Sequence, residues 1–121
     1  MALVINDRVK ENSTTSGTGN ITLAGVAAGQ GNVTFNSGIG TSNTTYYCIF
    51  EQGTNTFEIG LGTLSGSTTL ERTTVINNSS GNTSKISFTG GTLDVFCTMP
   101  AAKTVYLDAS GTPVGAASNG F

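Results

Sequence analysis

The sequence predicts an all-β fold: a single-domain β-sandwich or barrel of about eight short antiparallel strands over residues 1–108, followed by an extended C-terminal tail over 109–121. Three observations carry this. Thr, Ser, Asn and Gly fill 61 of the 121 positions, a composition of β-branched strand formers and turn residues. Short apolar alternations return at about 8 to 12-residue spacing between Gly- and Asn-rich breaks. No segment shows the 3.6-residue period of an amphipathic helix.

The elements follow in order. Ala2 to Glu11 reads as a strand with a polar interruption at Asn6 and Asp7, and Asn12 to Gly19 as a turn-rich loop. In Asn20 to Ala24, Ile21 and Leu23 alternate with Thr22 and Ala24, so one face is buried. Gly25 to Gly31 is a loop, and a third short strand carries Val33 and Phe35. The clearest signal is a hairpin. Thr44 to Glu51 and Thr56 to Leu61 flank the loop Gln52-Gly53-Thr54-Asn55, with Tyr47 and Ile49 on one face and Phe57, Ile59 and Leu61 sharing a face of the partner. After the Ser65-Gly66-Ser67 turn, Thr69 to Ile76 forms a strand with Leu70 set against Arg72 in the alternation. The loop Asn77 to Thr83, the strand Ile86 to Phe88, the turn Gly90-Gly91 and the strand Asp94 to Met99 follow. Pro100 ends that strand, because it has no N–H for a ladder. Thr104 to Leu107 is the last strand.

Charge and composition exclude several functions. The net charge is −2, and the five basic residues, Arg8, Lys10, Arg72, Lys85 and Lys103, are scattered, so no stripe tracks a phosphate backbone and nucleic acid is not an expected partner. Apolar runs are far shorter than the roughly 20 residues of a membrane span. Asp7 and Arg8 break any export signal, which places synthesis in the cytoplasm and leaves the seven Asn-x-Ser/Thr tripeptides, starting at Asn12, Asn20, Asn32, Asn43, Asn77, Asn78 and Asn82, as products of composition.

Chemistry is sparse. There is no His, which removes the usual general base and the commonest zinc ligand. Glu51 and Glu58, at the mouth of the hairpin, are the one arrangement resembling a carboxylate pair, and the expectation is that both are solvated charges. Ser84 and Lys85 are adjacent, so on a strand they point to opposite faces and cannot act as nucleophile and base. Gly17-Thr18-Gly19 and Gly60-Leu61-Gly62 lack a following helix to cradle phosphate and are expected to be turns or close backbone contacts. Cys48 and Cys97 read as free thiols buried as small hydrophobes, with Cys→Ser tolerated at either. No catalytic residue, cofactor site or metal site is expected.

The segments Asp7 to Glu11, Ser13 to Gly19 and Thr22 to Gly25 resemble the opening of a family of small proteins and modules from tailed-bacteriophage particles. Tyr46 to Ile49, Phe57 to Thr63, Leu70 to Val75, Gly91 to Cys97, Pro100 to Lys103 and Tyr106 to Asp108 continue the resemblance in the same order, over about residues 2 to 108. Departures lie in the loops, notably Ala27 to Asn32, where relatives carry aromatic residues. The resemblance implies a non-enzymatic virion component, found alone or joined to tail-fibre sequence. A chain that stops here, with no fibre shaft, favours a capsid decoration or cement subunit on the head exterior over a tail accessory or fibre adaptor. A carbohydrate-binding module is the outsider, since the chain has no Trp and three Tyr to serve as stacking platforms.

Partners are then other virion proteins, either the major capsid protein or tail proteins, and further copies of the chain. A homotrimer is expected, because trimers match the threefold positions of an icosahedral shell. The expected assembly contacts are Leu3, Val4 and Ile5 on an N-terminal strand too apolar for a free terminus, and Pro113, Val114 and Phe121 on a tail that lies along another subunit and orders on assembly.

Overall fold

The computed structural model describes residues 1–116. It is nearly all strand, with 45% of residues in strands against 7% in helix, as the composition predicts. The strands are β1 (Lys10–Ser13), β2 (Ser16–Gly17), β3 (Ile21–Thr22), β4 (Thr44–Glu51), β5 (Phe57–Gly66), β6 (Thr69–Asn78), β7 (Phe88–Thr89), β8 (Leu93–Cys97), β9 (Val105–Leu107) and β10 (Pro113–Gly115). Six of them form one antiparallel sheet in the order β1-β8-β4-β5-β6-β3. Its two edges approach each other where the Asn12 N–H donates to the Gly25 carbonyl and the Ala24 N–H donates to the Asn12 carbonyl. The sheet therefore curls into a nearly closed barrel. Register shifts between Ile59 and Gly60, Leu61 and Thr63, and Leu64 and Gly66 supply the curvature, since an extra residue in one strand bends it and raises its twist.

Alternation decides what fills the barrel. Thr45, Tyr47, Ile49 and Glu51 of β4 point inward, with Glu58, Gly60, Gly62 and Leu64 of β5, Leu70 and Arg72 of β6, and Leu93 and Val95 of β8. Ile21, Leu23, Phe35 and Phe88 complete the core from outside the long strands. The expected face of Phe57, Ile59 and Leu61 is the outer one, where all three are half-buried. Leu70 and Arg72, two positions apart, share the inner face and are not opposed.

Several expected elements change. The strand expected at Val33 and Phe35 is instead one turn of helix, α1 (Phe35–Gly38), capped by the Thr34 hydroxyl, which accepts from the Ser37 N–H. Val33 keeps only a parallel bridge to Val9. The turn drops Phe35 into the core with no exposure. The N-terminal strand is broken between Leu3, which bridges Thr44, and β1. The break follows the polar interruption: the Asp7 N–H donates to the Asn6 side chain, and Arg8 adopts φ 59. Part of the expected Asn12 to Gly19 loop is strand, as β2 pairs with β7.

The Thr44 to Glu51 strand and its four-residue loop stand as expected, and β5 runs on to Gly66. The Asn77 to Thr83 loop is organised by Asn78, whose side chain donates to Asn82 Oδ1 and the Ser84 carbonyl and accepts from the Ser80 and Asn82 N–H groups.

Cys48 and Cys97 lie on neighbouring strands, but Tyr47 is the residue opposite Cys97 and Phe96 the residue opposite Cys48. One step of register sends the two side chains to opposite faces, so no disulfide joins them, and both thiols are free. Burial, and then the Glu58 charge, push the Cys48 thiol up to about 11. Two alkylation sites per chain are expected after denaturation without reductant. In the folded protein at pH 8, Cys48 should react roughly a hundredfold more slowly than an ordinary thiol, since the thiolate is the reacting form. Mass spectrometry of timed iodoacetamide labelling checks both.

Candidate assembly site

Leu3, Val4 and Ile5 are placed by three bonds to the start of β4. The Val4 N–H donates to the Thr44 carbonyl, the Thr44 N–H donates to the Ala2 carbonyl, and the Ala2 N–H donates to Asn43 Oδ1. Strand alternation then turns Val4 inward against the core and leaves Leu3 52% and Ile5 43% exposed. The expected triplet is therefore split into one packing residue and two outward ones. The backbone groups of Leu3 and Ile5 have no hydrogen-bond partner among the described residues.

The expected tail is partly structured. Pro113, Val114 and Gly115 pair with Leu107, Tyr106 and Val105 of the same chain, so Pro113 and Val114 meet their own β9 rather than lying free. The turn between the strands is built by Asp108, whose Oδ1 accepts from the Ser110 and Thr112 N–H groups, and by Gly111 at φ 80, the left-handed region that glycine enters without strain. Phe121 lies outside the described residues. Neither the N-terminal pair nor the ribbon residues converge on a pocket with the other.

Sequence reasoning missed the apolar exposure of this ribbon. Val105, Tyr106 and Leu107 are all exposed, and Met99 just before them is too. Beyond itself the ribbon packs chiefly on the 3-10 turn Ala101–Lys103. Beside that turn, a groove of about 320 Å³ runs over the barrel's outer face, lined by Ile59, Ile76, Asn77, Pro100, Ala101 and Ala102. A second hollow, of about 390 Å³, lies at the barrel end by Glu11, Leu23, Thr34 and Ser67. The Glu11 carboxylate there is already engaged by the Gly25 and Phe35 N–H groups.

The two carboxylates at the hairpin are not solvated. Glu51 is 8% exposed and accepts from the Thr89 hydroxyl. Glu58 has no exposure and lies against Arg72, which is equally sealed. Glu58 Oε2 accepts from the Tyr47 hydroxyl at 2.6 Å and Arg72 Nε at 2.9 Å, and Oε1 accepts from Arg72 Nη2 at 2.5 Å and the Ile86 N–H at 2.7 Å. Arg72 spends its other donors on the carbonyls of Ile86, Gly17 and Gly19, and its guanidinium lies 5.3 Å from the Phe88 ring.

Burial alone would raise the Glu58 carboxyl, but the hydrogen bonds from Arg72, Tyr47 and Ile86 outweigh it and hold the group below its ordinary value. Burial first, then the bond to Glu58, push the Tyr47 phenol far above its ordinary range. With every donor matched, the cluster ties loops to the barrel wall and presents no free acid or base. Among the described residues no helix is long and apolar enough to cross a membrane. No protein-family model, curated protein or solved structure matches the chain.

Proposed function

We propose that the chain is a bacteriophage virion structural protein that decorates the head exterior and binds its neighbours through the open N-terminal strand. The observation that carries the surface is the pair Leu3 and Ile5: outward-facing apolar side chains on a strand whose far backbone edge is unpaired. Such an edge recruits a partner strand or an apolar seat, because unpaired N–H and C=O groups and half-exposed aliphatics gain from cover. The ordered resemblance to phage-particle proteins supplies the particle.

The test adds purified protein to particles that lack it. Wild-type chain should bind to saturation at hundreds of copies per particle. Leu3→Ser with Ile5→Ser should bind at least tenfold more weakly, since covering the exposed half of each side chain contributes about 1 kcal/mol. Saturation in the tens, at a multiple of three or six, assigns the tail-accessory role instead. Absence of binding to any particle component overturns the reading.

A further inference from the structure

The β9–β10 ribbon has one edge that is blocked and one that is open. The Asp108 N–H donates to the Thr112 carbonyl and the Ala116 N–H donates to the Thr104 carbonyl. Hydrogen-bonded pairs alternate along an antiparallel ladder, so Tyr106 and Val114 form the bonded pair between these two. Val105 and Leu107 then aim their backbone N–H and C=O groups away from β10, and these groups hold no bond among the described residues. On the far side of the ribbon the same register turns Pro113 outward, and proline has no N–H to offer. A partner strand can therefore add to β9 and not to β10.

A two-stranded ribbon is marginal in water and needs a third strand or a covering face. Here all three residues of β9 are exposed. The charges at its two ends say what covers it. Lys103 stands at the root of β9 and Asp108 at its tip; both are exposed, and neither enters an ion pair.

We infer that β9 pairs antiparallel with β9 of a second copy, forming a four-stranded β10-β9-β9-β10 sheet about a two-fold axis at Tyr106. Only an antiparallel copy of the same strand brings root to tip, so Lys103 of each chain approaches Asp108 of the other. In this register Val105 lies opposite the second copy's Leu107, which joins their outward N–H and C=O groups and collects four aliphatic side chains on one face. Tyr106 lies opposite its own copy in a non-hydrogen-bonded pair, the closer of the two spacings and one favourable to aromatic pairs. The contact is isologous and joins two subunits. It leaves the N-terminal surface free for a particle or a threefold ring, and it does not depend on the virion reading.

The test uses the full chain. Sedimentation should show a concentration-dependent dimer for wild type. Leu107→Pro removes an outward N–H and no bond within the ribbon, and by symmetry it deletes two intersubunit bonds, so the dissociation constant should rise roughly thirtyfold. Far-UV circular dichroism should stay unchanged, as the barrel does not include this ribbon.

Register is read separately. Oxidised Tyr106→Cys should give a covalent dimer on non-reducing gels, because facing Cβ atoms in such a pair fall within disulfide reach. Thr104→Cys, four register steps from its own copy, should not. Equal cross-linking of the two variants, or a wild-type monomer, overturns the inference. Cross-linking of Tyr106→Cys only to another particle protein also overturns it and assigns the edge to a foreign strand. None of these outcomes touches the particle-binding test on Leu3 and Ile5.

Discussion

Arg72→Met is expected to lower the unfolding free energy by about 3–5 kcal/mol, the range found when one partner of a buried ion pair is removed. Methionine fills much of the space but returns none of the bonds. Glu58 keeps the Tyr47 and Ile86 donors, loses the guanidinium, and must stay charged without a counter-ion or take up a proton. The carbonyls of Gly17, Gly19 and Ile86 lose a donor at the same time. Adding Glu58→Leu should recover only the part of the loss that comes from the stranded carboxylate, since the Tyr47 hydroxyl, the Ile86 N–H and the three carbonyls remain without these partners. Urea denaturation of the three proteins, with m unchanged, measures this.

The pH dependence has a definite sign. A carboxyl whose folded pKa is depressed adds stability that is present above its unfolded value of about 4.3 and is lost as pH falls through the folded value. Wild type should therefore weaken below about pH 4. The Arg72→Met, Glu58→Leu protein should lack that component of the acid loss. Equal acid sensitivity in the two would remove Glu58 from the account.

Gly60→Ala is expected to cost about 3 kcal/mol, although alanine is the smallest possible addition. A Cβ at Gly60 would stand 2.5 Å from the Thr74 carbonyl oxygen and 2.6 Å from the Tyr47 hydroxyl. The first neighbour is backbone within the same sheet. The second is fixed by its 2.6 Å bond to Glu58. Neither can yield cheaply, and overpacking a full core costs typically 1–3 kcal/mol and sometimes more. Gly62 repeats the constraint against the Tyr47 ring and the Leu70 side chain. Gly19→Ala is the control: nothing lies within 4 Å and its φ is not positive, so its effect should stay within about 0.5 kcal/mol. Thermal unfolding of the two variants separates a crowded strand glycine from a general preference for glycine.

These two sites also mark what could be seen beforehand. Gly60 and Gly62 were legible only as turns or close backbone contacts, and their place inside β5 against Tyr47 decides for the second. The hairpin around Gln52 to Asn55 was legible because alternation and loop length are local. Arg72 and Glu58 were not, because polarity alone places both residues outward. A usable signal lay in spacing: Glu58, Gly60, Gly62 and Leu64 share one strand face, and two absent side chains leave room there for a tyrosine and a guanidinium. Phe57, Ile59 and Leu61 could be grouped on one face but not assigned to the inner or the outer side, because β4 carries apolar residues on both of its faces.

Helix α1 escaped because four residues cannot display a 3.6 period. For the assembly surfaces, the N-terminal apolar run was visible, while the split between Val4 and its neighbours needed the Thr44 register. The β9–β10 ribbon had a readable turn in Asp108 to Thr112, with an Asx residue and a glycine. Low apolar content beyond Ala109 concealed it.

The topology of the barrel also sets a schedule. Strand β1 leaves a ribosome before every other strand of the fold, yet its partner is β8, with Lys10 set against Phe96. Pairings so far apart in sequence must meet the loop-closure entropy before they return any contact energy. The β4–β5–β6 meander can form while synthesis continues, but its neighbour β8 arrives late and β1 has nowhere to dock until then. During that interval β1 and the edge of β4 that β8 will cover stand open to other nascent chains. The chain is thus most open to mispairing between the synthesis of β1 and that of β8.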